Sequence, residues 1–401
     1  MEESSITVLP FKSALHYWLQ LSQEPNHDFI RLLDYLSERD LGLLEIAVSE
    51  KKNKHLLMSP FKRYYETHEV SIDMIKCRKS YLDWILNRGL NHHTRKLAIS
   101  LSFNESKDCK FDSCNIRFPH LLEITCLYMT PKLCLMLDQY SPNLHTLKIL
   151  EGAYDLEAKY FESILSGCRK LTHIQISKDL IDPPTETFVL IAKYCKELQV
   201  LKLTKCDTIK SNSIFPLSKL ISLEVLVIDL LFSWSNPLDA VFASNSKLTT
   251  VSFGGEFSHD PIMRALSVHC PLLKHIRLGA WAFQVLTDES IIAMVKGCPL
   301  LETIDISSWR TVSYFSYEGD GITRTLSVTN DAMYAITQYC PYLQVFSISS
   351  RDLLAYDNTG LDAIRDGCPC IKAIYKNRKV YYAVPGYKTT DLVYDAFHDF
   401  L

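Results

Sequence analysis

An α/β solenoid of about ten stacked repeats, preceded by a small all-helical N-terminal region, is the fold this sequence predicts. Two observations point to it: an apolar pattern anchored on a recurring cysteine, and helix-like segments of similar length between its copies. A third makes it feasible, since 47% of the 401 residues are hydrophobic, enough for a continuous core.

The pattern appears when each anchoring cysteine is taken as position zero. Apolar residues recur at plus three, plus six and plus eight. They are Leu171, Ile174 and Ile176 after Cys168, and Leu198, Leu201 and Leu203 after Cys195. Cys270 leads to Leu273, Ile276 and Leu278, Cys298 to Leu301, Ile304 and Ile306, and Cys340 to Leu343, Phe346 and Ile348. Cys368 leads to Ile371 and Ile374 before the pattern fades. Ser141, Leu220 and Asn245 hold the anchoring position in three more copies, and a weaker copy starts at Phe118. Successive anchors lie 23, 27, 27, 25, 25, 25, 28, 42 and 28 residues apart, so one copy carries an insertion, placed near residues 309–325. A period of this length around an L-x-x-L-x-L core is the mark of a leucine-rich repeat.

Strand geometry explains the core. Residues plus six and plus eight point one way from a short strand, and plus five and plus seven the other. Between strands, "TDESIIAMVKGC" (287–298) offers Thr287 or Asp288 as a helix cap, Ile291, Ile292 and Val295 as an apolar face and Gly297 as a stop. "SVTNDAMYAITQYC" (327–340) repeats the arrangement. Each unit leaves an apolar face that only its neighbours can cover, so the units stack.

"LTDESIIAMVKGCPLLETIDI" resembles the cysteine-containing class of leucine-rich repeats typical of F-box proteins, a resemblance that covers roughly residues 118–375. Upstream, "FIRLLDYLSERDLGLLEIAVS" (29–49) resembles the F-box core at Leu33, Leu36, Asp40, Leu41, Leu44 and Val48. The Leu-Pro pair that opens that motif and the tryptophan that follows it are both absent. Read from the residues alone, the stretch is a pair of short helices broken near Ser37, with Asp40 as a cap for the second. Such helices also suit a plain cover for the first repeat, because solenoid ends need polar caps. The predicted organisation is a helical F-box-like region over 1–60, a helical linker and N-terminal cap over 61–100, repeats over 101–375 and a C-terminal cap over 376–401. "TRKLAIS" (94–100) reads as a possible earlier strand, and Trp84 in "SYLDWILNRGL" as packing.

Chemistry finds little support. Cys109/Cys114, Cys126/Cys134, Cys368/Cys370 and His92/His93 do not form the paired ligand sets of a zinc site. A thiol in a repeat position behaves as a small buried hydrophobe. "FGGEF" (253–257) is a turn, not a phosphate-cradling loop, and no G-x-S-x-G appears. The expectation is a chain that is not an enzyme and takes no cofactor or metal. The formal charge of −3 gives no push toward nucleic acid or an anionic membrane. The acidic N-terminus lacks a secretory pattern, the longest apolar run carries Glu224 and Asp229, and thirteen cysteines fit a reducing compartment. The chain reads as cytoplasmic or nuclear.

A binding surface is expected on the plus-five and plus-seven residues of the concave face. Those singled out are Lys148, His173, Lys202, Val225, Val227, His275, Arg277, Thr303 and Asp305, for a protein or peptide target. Trp234, Trp281 and Trp309 follow strand ends. In the insertion, Tyr314, Phe315 and Tyr317 make an aromatic loop suited to recognition. The C-terminal stretch could form a short helix with Leu392, Val393, Phe397 and Leu401 inward. The F-box resemblance implies that Leu33, Leu36, Leu41, Leu44 and Val48 hold a Skp-type adaptor, making the chain the target-recognition subunit of a cullin-type ubiquitin ligase. The alternative is a leucine-rich-repeat binding protein with no part in ubiquitination.

Overall fold

The computed structural model describes residues 69–73, 94–100, 118–152, 156–177, 184–206, 211–230, 238–255, 259–280, 286–306, 328–349, 357–377 and 379–387. They form a leucine-rich-repeat solenoid built on one sheet of thirteen strands in strict chain order. The strands are β1 Glu69–Asp73, β2 Lys96–Ser100, β3 Glu123–Cys126, β4 Thr146–Ile149, β5 His173–Ser177 and β6 Val200–Cys206. They continue as β7 Val225–Leu230, β8 Thr250–Gly255, β9 His275–Ala280, β10 Thr303–Ile306, β11 Val345–Ile348, β12 Ala373–Lys376 and β13 Lys379–Ala383. All pair in parallel except β13, which returns antiparallel to β12.

Among the described residues, eight α-helices lie between the strands from β3 to β12. They are α1 Pro131–Tyr140, α2 Ala158–Gly167, α3 Pro184–Tyr194, α4 Leu238–Ser244, α5 His259–His269, α6 Asp288–Gly297, α7 Asn330–Tyr339 and α8 Asn358–Gly367. Between β6 and β7 a 3-10 helix, Ser211–Lys219, takes the helix's place, and Pro216 inside it removes one backbone donor. The ten anchors from Phe118 to Cys368 match β3 to β12. Over 61–100 the strand read in "TRKLAIS" is present as β2, whereas β1, Glu69–Asp73, lies where a helical linker was expected and corrects it. The period-two alternation in "EVSID" and "KLAIS" wins, with Leu97 and Ile99 turned into the core.

The core holds the plus-three, plus-six and plus-eight residues. Leu198 and Leu201, Leu273 and Ile276, and Leu301 and Ile304 have no exposed surface. Burying each such side chain contributes about 2 kcal/mol. The chain enters each strand through a shared acceptor. The Leu122 carbonyl accepts from His145 and Thr146, that of Thr249 from Lys274 and His275, and that of Lys274 from Glu302 and Thr303. The insertion before α7 leaves this untouched: the Glu302 carbonyl accepts from Gln344 at 2.8 Å and Val345 at 3.1 Å, and β10 and β11 stay in register.

The anchoring cysteine joins repeats. Cys298 Sγ lies 3.4 Å from the Cys270 carbonyl and 3.7 Å from that of Leu266, and Cys168 Sγ makes the same pair of contacts with Ser141 and Leu137. Asn245 fills the position differently, accepting from the Leu223 amide and donating to the Val241 carbonyl. Ser141 is buried there too, with its hydroxyl finding no partner. A thiol suits the position because leaving it half-satisfied costs less than leaving a hydroxyl so.

Helix starts are linked from repeat to repeat. Thr287 caps α6 through Ser290, and its own amide and hydroxyl donate to Asp260 at 3.0 and 2.8 Å. Asp288 receives the amide and hydroxyl of Thr329, the cap of α7, at 2.8 and 2.6 Å, and Asn330 reaches Asp357, the cap of α8. The Thr-Asp pair visible in the sequence therefore caps its own helix and anchors the next one.

Gly297 has a different role from the expected stop. It is the last residue of α6, and its backbone is not among those with positive φ. A Cβ there would lie 2.6 Å from Ser267 Cα on α5. Gly167 and Gly367 stand at the same position, against Asp138 and Thr337. At these three positions the absence of a side chain lets the end of the second helix lie directly against the preceding helix.

Candidate functional site

The face of the sheet turned away from the helices carries two rows in register. One runs Glu123, Thr146, His173, Val200, Val225, Thr250, His275, Thr303, Val345, Ala373. The other runs Thr125, Lys148, Gln175, Lys202, Val227, Ser252, Arg277, Asp305, Ser347, Tyr375. Every concave-face residue singled out from the sequence stands in one of these rows, but the rows differ along their length.

Over β4 to β6 the face is open. Lys148, His173, Gln175, Val200 and Lys202 are half-buried, as is Val225 on β7. From Val227 onward it is closed: Val227, Arg277, Thr303 and Asp305 are buried, and His275 is partly so. These residues were expected to face a target, and their burial corrects that. Polar side chains of neighbouring strands in register stand against each other there. His275 Nδ1 lies 3.2 Å from Thr303 Oγ1, and Arg277 Nε lies 3.5 Å from Asp305 Oδ2 with both side chains 4% exposed. At the far end Val345, Ala373 and Tyr375 form a small apolar cluster with Ala383 and Tyr387. The expected partner residues thus split into an open set, Lys148, His173, Lys202 and Val225, and an internal set that holds the sheet.

The open set is cationic and unevenly compensated. Lys148 Nζ donates to Glu123 at 2.8 Å, with Lys96 Nζ 3.9 Å from the same carboxylate. Glu123 was not anticipated, although its place at plus five from Phe118 puts it in the same row. Burial, and secondarily Lys148, holds the Lys202 amine down to about 8. Its folded value lies below the ordinary 10.5, so charged Lys202 opposes folding at neutral pH. That penalty fades as pH rises from about 8 toward the ordinary value. Burial, then Lys148 and Lys202, also lowers the His173 pKa against the weaker pull of Glu123 and Glu224. A half-desolvated amine that no carboxylate among the described residues holds is suited to receive an anion from outside.

The thiols play no such part. Cys126, Cys168, Cys195, Cys270, Cys298 and Cys340 are buried, and burial pushes each up to about 12. Among the described residues the exposed cysteine is Cys370. Alkylation of the native protein followed by peptide mapping should therefore modify Cys370 before the buried anchors, which stay unmodified until denaturant is added. Early labelling of Cys298 or Cys340 would contradict the buried column. Among the described residues no group of three or more His, Cys, Asp or Glu side chains could hold a metal ion, and no helix is long and apolar enough to cross a membrane.

The segment 29–49, with Leu33, Leu36, Asp40, Leu41, Leu44 and Val48, lies outside the described residues, as do Trp84, Trp234, Trp281, Trp309, Tyr314, Phe315, Tyr317 and the stretch from Leu392 to Leu401.

No family model matches the chain. Among solved structures it is similar to a chain in the crystal structure of the Rad7 and Elc1 complex in yeast, with 14% identity and a TM-score of 0.44 over 96% of this chain and 98% of that one. It is also similar to a chain in the TLR13–ssRNA13 complex, with 14% identity and a TM-score of 0.41 over 73% and 40% of the two chains. The plant peptide hormone receptor RGFR1 in complex with RGF2 gives 14% identity and a TM-score of 0.35 over 72% and 44%. At these identities none lends a site or a partner to this chain. Its own sheet, its repeat register and its buried L-x-x-L-x-L rows make it a leucine-rich-repeat solenoid.

Proposed function

We propose that this chain recruits a protein target to a cullin-type ubiquitin ligase, acting by binding alone and without catalysis of its own, in the cytoplasm or nucleus. The observation that carries this reading is the order of parts. An L-x-x-L pattern resembling an F-box, Leu33 to Val48, stands upstream of a solenoid whose inner face is open over β4 to β6. The upstream helices would dock apolar residues on a Skp-type adaptor, and the open face would select the target. The enzymes of ubiquitin transfer would be other subunits.

The test is co-purification of the full chain with a Skp-type adaptor. Wild-type protein should retain the adaptor, and Leu36→Asp or Leu41→Asp should abolish retention while thermal unfolding of the repeats stays unchanged. No retention, or retention indifferent to both substitutions, would leave a leucine-rich-repeat binding protein with no ubiquitin role.

A further inference from the structure

We infer that the open inner face over β4 to β6 takes an extended acidic segment of the protein partner, seating its oxyanions on Lys148 and Lys202. The inference rests on the reading of this face as the target-binding surface and adds the chemistry of what binds there.

Three features select that ligand. First, Lys148, Gln175 and Lys202 share one row on adjacent strands, which places the two amines' Cα atoms about 10 Å apart with an amide between them. An extended peptide covers that distance in about three residues, so acids spaced two or three apart reach both. Second, the charges do not cancel. Glu123 serves Lys148 at 2.8 Å and Lys96 at 3.9 Å, while no carboxylate among the described residues lies within ion-pair reach of Lys202. Glu224 lies at the margin, close enough to act on His173. Third, Val200 and Val225 flank the row and offer half-buried apolar contact for a peptide backbone. Farther along, the cation Arg277 is already engaged by Asp305, so it does not extend the patch. The recognised group is an oxyanion on a peptide, either a carboxylate or a phosphoester.

Fluorescence anisotropy with the purified full chain tests this. The probes are a labelled twelve-residue peptide alternating glutamate and serine, the same peptide with phosphoserine in place of glutamate, and its glutamine analogue. A single-stranded oligonucleotide of matched charge is the fourth probe. At least one acidic peptide should bind at least tenfold tighter than the glutamine analogue, and the tighter of the two identifies the oxyanion. Lys202→Gln should weaken that binding at least fivefold, Lys202→Arg should restore it, and Lys296→Gln on the outer helix surface should leave it unchanged. Equal binding of the glutamine analogue, indifference to Lys202→Gln in a protein that melts like wild type, or tighter binding of the oligonucleotide would each overturn the inference. Adaptor co-purification runs independently. A chain that keeps the adaptor but ignores the acidic peptides sinks only this inference, and one that binds them without the adaptor sinks only the ligase reading.

Discussion

Asp305→Ala is expected to lower the stability of the folded chain by roughly 3–5 kcal/mol, the usual penalty for removing one partner of a buried ion pair. Its carboxylate lies 3.5 Å from Arg277 Nε, and both side chains are 4% exposed. The alanine variant leaves a guanidinium in a low-dielectric site with its nearby countercharge gone. The contact is an ion pair rather than a short hydrogen bond, so most of the loss comes from desolvation of the remaining charge. The double variant Arg277→Met with Asp305→Leu should recover most of the stability, because the burial penalty disappears with both charges. Denaturant midpoints of the wild type and the two variants decide the matter. A loss below about 1 kcal/mol for Asp305→Ala would mean the pair is solvated, and β9 and β10 would rejoin the open binding face.

Gly297→Ala should also destabilise, by about 2–3 kcal/mol, although alanine is the better helix former by about 1 kcal/mol. The new methyl would fall 2.6 Å from Ser267 Cα and 2.7 Å from its carbonyl carbon, so the backbones of α5 and α6 must part. Two sister positions rank the effect. Gly167 meets both the side chain and the backbone of Asp138, at 2.9 Å from the carbonyl oxygen. Gly367 meets the methyl end of Thr337, which can rotate away. The expected order of loss in thermal unfolding is therefore Gly297, then Gly167, then Gly367. Equal losses at all three would show that helix propensity or unfolded-state entropy governs these glycines, rather than close approach.

The repeat was legible because its signal is written many times. Leu301, Ile304 and Ile306 could not alone tell a strand from a short helix, but ten copies at nearly constant spacing could. The cap at Thr287 was legible for a local reason, since a hydroxyl beside the first helical turn meets its donors whatever lies beyond. The partner of Thr287 was not, because Asp260 lies 27 residues away and nothing in the local pattern points to it. The strand β2 was legible in "TRKLAIS", whereas β1 was written only in Val70 and Ile72, too briefly to outweigh the helical composition around it.

The candidate site divides along the same line. Strand alternation by itself determined which residues stand on the face away from the helices, and each of Lys148, His173, Lys202, Val225, Val227, His275, Arg277, Thr303 and Asp305 is there. Only the tertiary structure decided which of them meet solvent. Alternation is a property of one strand, whereas burial on that face depends on what stands beside it in the next repeat. Val225 and Val227 are two residues apart on one strand, yet the first is half-open and the second buried. Lys202 and Arg277 occupy the same position in their repeats. Arg277 has Asp305 on the adjoining strand, and Lys202 has Gln175 and Val227. That difference in neighbours gives the buried cation a countercharge and leaves the half-buried one with no carboxylate in ion-pair reach among the described residues.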